Sequence, residues 1–103
     1  MNFDPSVGGE IQKRRPAVIV SNNAANNFLN RIQVVPLTPS VGRVFPSEAL
    51  VTVNGRLGKA MADQLTTVSK ERVGDRIGSL SPDDMRKVEF SVRIQLGLAV
   101  TGE

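Results

Sequence analysis

At 103 residues, 40% hydrophobic and 22% charged, the chain has the size and make-up of one globular domain with room for a single core. Zero Cys excludes disulfides and thiolate metal sites, and zero His removes the commonest general acid–base and the commonest metal ligand, so any catalysis must come from Arg, Lys, Asp, Glu, Ser or Thr. The net charge of +3 is uneven: residues 1–60 carry seven basic and three acidic side chains, residues 61–103 six and seven, which suggests a polyanion or an acidic partner for the first part.

In chain order, residues 1–14 read as an N-terminal loop, because Asp4-Pro5-Ser6 and Gly8-Gly9 are turn chemistry. Lys13-Arg14-Arg15 then run into Pro16, which suits the first residue of a strand because it has no N–H to give, and a buried strand follows over Pro16 to Ser21. A rigid strand beginning directly after three cations aims their side chains; the competing reading is a solvated basic loop in front of a core strand. Asn22 to Asn30 is a polar excursion with a single helical turn. Arg31 to Thr38 alternates and then becomes apolar, which predicts a second strand with Pro36 at an edge or bulge. Pro39 to Pro46 is a loop too long for a tight hairpin, and such loops are disproportionately functional.

Ser47 to Val53 reads as a strand with Ala49, Val51 and Val53 on one face, followed by an Asn54-Gly55 hairpin. Gly58 to Ala62 and Gln64 to Val68 continue the sheet, Ser69 to Arg72 forms one helical turn, and Asp75 to Leu80 is a last short strand. Ser81-Pro82-Asp83-Asp84 predicts a helix start, with Ser81 capping, Pro82 at the first helical position and two carboxylates at the positive end of the dipole. That helix runs to about Leu98, with Gly97 weakening its last turn. Met85, Val88, Val92, Leu96 and Ala99 fall on one side of it, and Phe90, Ile94 and Leu98 nearly opposite. Two apolar stripes mean a sandwiched helix, either inside its own fold or against another subunit; in a chain this short with one long helix, the second stripe is expected at a subunit interface. The expected fold is mainly β with α: a small SH3-like, twisted β-barrel (residues 15–80) with a C-terminal helix (81–98) packed on it, in a single domain. No apolar run approaches the ~20 residues of a membrane span, and no signal-peptide pattern opens the chain.

Pro39 keeps Thr38 out of the helical region, holding its hydroxyl extended at the mouth of the long loop. If the two strands pair antiparallel, Arg15 at the start of one and Thr38 at the end of the other become neighbours. A guanidinium and a hydroxyl converging on one point suit a phosphate that gains negative charge in a pentacovalent transition state. The plainer reading of Thr38 is a strand-end turn residue.

Gly9-Glu10, Arg15-Pro16-Ala17-Val18-Ile19-Val20-Ser21, Val35-Pro36-Leu37-Thr38, Phe45-Pro46-Ser47-Glu48 and Ala62-Asp63-Gln64 stand in order and at the spacing found in the MazF/PemK/Kid family, toxins of type II toxin–antitoxin modules. The chain resembles that family over roughly residues 2–98. The resemblance implies a compact β-barrel with a terminal helix, a cytoplasmic homodimer, and metal-independent, cofactor-free endoribonuclease activity on single-stranded RNA. It also implies a cognate acidic, MazE-like antitoxin whose acidic segment occupies the RNA groove. By position it makes Arg15 and Thr38 catalytic, matches Glu10 to a loop carboxylate of the family and Asp63-Gln64 to a pair lining the RNA site; Lys13, Arg14 and Ser40 beside them are expected to bind RNA as well. Attack of the substrate's own 2′-OH on the adjacent phosphodiester would leave a 2′,3′-cyclic phosphate and a 5′-OH, which DNA cannot do.

Three positions depart from the family's pattern. Only Asn2 and Phe3 precede Asp4-Pro5, so a first strand is expected to be missing or truncated, leaving a sheet edge unpaired. Thr66 stands where many relatives have an Arg, and Met61 where some use an Arg for acid–base work. Asp63 or Glu10 could move the proton, although a carboxylate in a basic groove is more often an ion-pair partner. Two other readings remain: a non-catalytic toxin of the CcdB type that binds DNA gyrase through its terminal helix, and an inactive RNA-binding barrel.

Overall fold

The strand Arg31–Thr38 organises the fold, because three others pair with it. In the computed structural model, residues 2–3 and 15–99 are described. Glu10, Lys13 and Arg14 lie outside them. The elements are β1 (Asn2–Phe3), β2 (Arg15–Ile19), α1 (Asn23–Phe28), β3 (Arg31–Thr38), β4 (Glu48–Val53), β5 (Arg56–Met61), β6 (Thr66–Ser69) and α2 (Pro82–Leu96), with single 3-10 turns at Ala62–Gln64 and Lys70–Arg72. The order across the sheet is β1-β2-β3-β5-β4, with β6 also on β3 and every ladder antiparallel. No ladder joins β4 back to β1 among the described residues, so the sheet is an open, barrel-like one with a helix on it.

The start of the chain differs from expectation. Asn2 and Phe3, expected within a loop, form β1 and pair with Pro16 and Arg15, so the first strand is short but present and covers the start of β2.

On one side β3 pairs with β2 through Ala17↔Pro36, Val18↔Val35 and Ile19↔Val34. On its other side it pairs first with β6, over Arg31 to Val34, and then with β5, at Leu37 and Thr38. Pro36 therefore sits late in a central strand, buried, and not on an outer edge of the sheet but at a break in one of its two ladders. The alternation of an antiparallel ladder explains why it is tolerated there. The Gln33 carbonyl accepts from Val20 N–H at 3.0 Å, so Gln33 and Val35 turn their backbone groups to β2. Pro36 turns the other way, into the gap between the end of β6 and the start of β5, where no N–H is required.

Period-two alternation gives the sheet two apolar faces. Val35 and Leu37 join Val18, Ala49, Val51 and Ala60 beneath Val88 of α2. Ala17, Ile32 and Val34 face the other way and are closed over by Ile19, Val68 and Val73. The Asn54-Gly55 hairpin forms as expected, with φ of 52° and 79°, and sets the β4–β5 register from Val53↔Arg56 to Glu48↔Met61.

Asp75 to Leu80, expected as a strand, takes no regular secondary structure and joins no ladder. A side chain takes the place of a neighbouring strand. The Asn54 amide donates to the Ile77 carbonyl, and a Cβ on Gly78 would lie 2.9 Å from Asn54 Oδ1, so the segment lies close against the hairpin tip and a side chain there would have to displace the Asn54 amide.

At the start of α2, Ser81 Oγ accepts from Asp84 N–H at 3.0 Å. Asp84 Oδ2 accepts from Thr52 N–H at 2.9 Å, which ties the helix to β4 and covers a donor on an edge strand. The helix ends at Leu96, earlier than Leu98, because Gly97 adopts the left-handed conformation (φ 69°) that a side chain would strain. Leu98 N–H then reaches Arg93 O at 2.9 Å and Gly97 N–H reaches Ile94 O at 3.2 Å.

Met85, Val88 and Val92 pack on the sheet as expected, but Leu96 is 52% exposed and Ala99 is exposed. The buried line of the helix passes through Val88 and Ser91, not through Val88 and Val92. Ser91 is 1% exposed and donates from Oγ to Val88 O at 2.7 Å, so this small polar side chain is satisfied within its own helix. That roll turns Leu96 about a quarter of a turn away from the sheet. Phe90, Ile94 and Leu98 are 49%, 37% and 55% exposed, the unpartnered second stripe.

Ser81→Ala should lower stability by about 1 kcal/mol through loss of the cap. For a domain of this size that is a drop in melting temperature of ~4–8 °C, measurable by thermal circular dichroism.

Candidate functional site

The face of the sheet turned away from α2 carries a row of polar side chains at one end. Continuing the β2–β3 register two residues beyond Ala17↔Pro36 sets Arg15 opposite Thr38. Thr38 pairs in turn with Lys59, and Lys59 with Leu50. Directly paired residues share a face and have Cα atoms about 5 Å apart. The row therefore reads Arg15, Thr38, Lys59, Leu50 across four strands, two positions from the buried Ala17 and Pro36 that anchor it.

Arg15 is exposed, and no hydrogen bond or ion pair engages its side chain among the described residues. Thr38 is half-buried, and its Oγ1 accepts from Ser40 N–H at 3.2 Å. That contact fixes the hydroxyl oxygen while leaving its proton to donate outward. The result is one strong cationic donor and one neutral donor on adjacent strands, at the mouth of the 39–47 loop.

Lys59 does different work. Its Nζ donates to Arg43 O at 2.7 Å and lies 3.4 Å from Glu48 Oε1, and both side chains are only 12% exposed. Glu48 Oε1 also accepts from Phe45 N–H at 2.9 Å, while Glu48 N–H donates to Phe45 O at 2.8 Å. The pair thus fastens the far arm of the loop to the row that holds Thr38. On that arm the Arg43 guanidinium carbon lies 5.8 Å from the centroid of the Phe45 ring.

Ser40 is exposed just beyond Thr38. Asp63 and Gln64 are exposed on the 3-10 turn that follows β5, further along the strand from Lys59, and Gln64 Nε2 lies 3.6 Å from Met61 Sδ. No hydrogen bond joins Asp63 or Gln64 to Arg15 or Thr38. Strand register thus puts Arg15 beside Thr38, with Ser40 next along the chain, while Asp63 and Gln64 sit on the turn after β5, which also packs against β3.

No role is expected of Lys59, Glu48 and Arg43 from the sequence motifs alone. The signal was available: Asn54-Gly55 fixes the hairpin register, which makes Lys59 a diagonal neighbour of Glu48.

A sequence model of the PemK-like, MazF-like toxins of type II toxin–antitoxin systems matches residues 1–96. The chain belongs to that family. A relative from Mycobacterium tuberculosis, Endoribonuclease MazF9, is 33% identical over 95% of this chain and 91% of its own length. Endoribonuclease toxin MazF of Escherichia coli K12 is 28% identical over 94% of this chain and 87% of its own. Among solved structures, an endoribonuclease in complex with its cognate antitoxin from a mycobacterial species superposes with a TM-score of 0.80 at 28% identity, covering 96% of this chain and 93% of that one. The match spans the whole described sheet and α2 of this PemK/MazF-like chain, so the row on β2, β3 and β5 lies within the shared fold.

Lys59→Met should cost about 2 kcal/mol in urea denaturation, because it strands a poorly exposed carboxylate. Adding Glu48→Gln removes that charge but keeps an acceptor for Phe45 N–H, so the double variant should recover most of the loss.

Proposed function

We propose that this protein is the toxin of a type II toxin–antitoxin module, an endoribonuclease that cuts single-stranded RNA without a metal, with Arg15 and Thr38 at the scissile phosphate. The observation that supports the reading is the strand register: continued two residues past Ala17↔Pro36, it aligns Arg15 with Thr38, whose hydroxyl oxygen accepts from Ser40 N–H and keeps a proton to donate. Both stand on the face that α2 leaves open.

In the reaction the substrate's 2′-oxygen attacks phosphorus and the bond to the 5′-oxygen breaks, giving a 2′,3′-cyclic phosphate and a 5′-OH. Negative charge builds on the non-bridging oxygens. Arg15 meets it with the paired donors that match phosphate geometry, and Thr38 donates its O–H to the same group. One proton leaves the 2′-OH and one must reach the 5′-oxygen. The carboxylates Asp63 and Glu10 are the groups assigned to that traffic. Lys13, Arg14, Ser40 and Gln64 extend the track for phosphate and base contacts. With neither His nor Cys in the chain, this chemistry relies on charge and proton donors alone.

The partners follow the same logic. A cognate antitoxin with an acidic segment competes for the basic face, and the exposed stripe Phe90, Ile94 and Leu98 joins two copies into a homodimer. No helix of the described residues is long and apolar enough to cross a membrane, and we place the protein in the cytoplasm with its RNA. A gyrase-binding toxin has no use for the Arg15–Thr38 row, and no feature of the structure favours that alternative.

Purified protein should cut single-stranded RNA in EDTA, leave DNA intact and yield 5′-OH ends on end-mapping. Arg15→Ala should lower the rate by at least ~10²-fold. Its melting temperature should barely move, because an exposed charge contributes about 0–1 kcal/mol. Dependence on added divalent metal, 3′-OH products, or activity lost only through unfolding would sink the mechanism.

Ile94→Glu should give a protein that is folded by circular dichroism and monomeric by sedimentation, since it puts a charge into the stripe and spares Val88 and Val92. A stable dimer of that variant would show that the stripe is not the interface.

A further inference from the structure

Phe45 is placed oddly for a hydrophobic residue. Its backbone is bonded twice, N–H to the Glu48 carboxylate at 2.9 Å and carbonyl to Glu48 N–H at 2.8 Å, and Pro46 stiffens it further. Yet its ring is 52% exposed. The neighbours Val44 and Pro46 line a groove beside Phe90 of α2, but Phe45 does not share in it. The Arg43 guanidinium lies over the ring, 5.8 Å from its centroid. A ring carried on a fixed stretch of backbone and this open to solvent can receive a planar partner.

Its place in the fold narrows the partner. Lys59 is the cross-strand partner of Thr38, and Lys59 Nζ holds the Arg43 carbonyl at 2.7 Å. The Arg43–Phe45 arm therefore stands one strand spacing, about 5 Å, and one lysine side chain from Thr38. That is the reach of a few nucleotides. Of the other three aromatics, Phe28 is on α1, before the opposite end of β3, Phe90 is on α2, and Phe3 is on β1, where it pairs with Arg15 at the far end of the row from the Arg43–Phe45 arm. Proteins that hold single strands combine cations along the backbone with aromatic rings under the bases.

We propose that Arg43 and Phe45 form a nucleobase-stacking subsite for single-stranded RNA next to the scissile phosphate, and that the Lys59–Glu48 pair positions it. The inference rests on the RNA-cleavage reading above. The ring takes a base by its face, the guanidinium adds cation–π and phosphate contacts, and the ion pair keeps the arm from swinging away. Phe45 and Arg43 then bear on which RNA is bound and cut, whereas Arg15 bears on how fast.

The chain has no Trp and no Tyr, so Phe45→Trp creates a single fluorophore at the site. The probe is a 2′-O-methyl copy of the RNA segment that the wild-type protein cuts, which lacks the nucleophile and stays whole. Binding should quench the Phe45→Trp emission saturably. Phe45→Ala should bind the labelled probe about tenfold more weakly and raise KM by a similar factor, with kcat little changed. Phe45→Tyr should restore both. Lys59→Met, assayed at a temperature where circular dichroism shows it folded, should raise KM in the same way, unlike the loss of kcat expected from Arg15→Ala.

If the wild-type protein cuts RNA while Phe45→Ala keeps its affinity, KM and cut-site preference, the subsite is refuted and the ring is left to a protein partner. The subsite is equally refuted if the probe binds Phe45→Trp, by anisotropy, without changing its emission. A wild-type protein that neither binds nor cuts RNA would instead refute the cleavage reading, and the subsite with it.

Discussion

A central strand with three partners has to change neighbours somewhere along one edge, and β3 does so at the residue with no N–H to offer. Pro36 stands where β6 has ended and β5 has not begun, so the gap leaves no donor unsatisfied. On its other edge the ladder with β2 runs unbroken through Ala17↔Pro36, and that register carries Arg15 to Thr38. The proline thus reconciles two demands on one short strand. The sheet must bend away to a new partner, and the pairing two residues before the site must not slip.

Charges in the site fall into two groups. Arg15 is exposed and has no side-chain partner among the described residues, and an exposed charge is open to screening by salt. Lys59 and Glu48 are mostly withdrawn from solvent and bonded to each other and to the loop backbone. They cannot serve as a phosphate site without giving up those bonds. The row therefore holds one exposed charge, Arg15, and one, Lys59, that is spent on holding Glu48 and the loop in place.

Much of this was legible in the sequence because the signals were local. The bounds of β3, the Asn54-Gly55 hairpin, the Ser81 cap and the second stripe on α2 each follow from a few adjacent residues and a fixed period. The misreadings concern partners distant in sequence. Pro36 looked like an edge residue because nothing in Val35-Pro36-Leu37 says that β6 and β5 abut there. Asp75 to Leu80 has the apolar content of a strand, but Asn54 takes its carbonyl. Leu96 fits the stripe of Met85, Val88 and Val92 on a wheel, while Ser91 sets the actual roll of the helix. In the site, Arg15 and Thr38 could be placed together from strand lengths. The Lys59 clamp needed a register count that passes through the hairpin.

The Pro36 handover also dictates where this chain can change length. Adding a residue beside Gly42, which is exposed in the loop that follows β3, lengthens a connection already closed at both ends, and the closure entropy of a slightly longer loop is small. Adding one between Pro36 and Thr38 is a different event. Side chains alternate faces along a strand, so the extra residue would swing Thr38 to the α2 side and bring a neighbour out in its place. Insertions and deletions should therefore be harmless on one side of β3 and ruinous within it, although only a few residues separate the two.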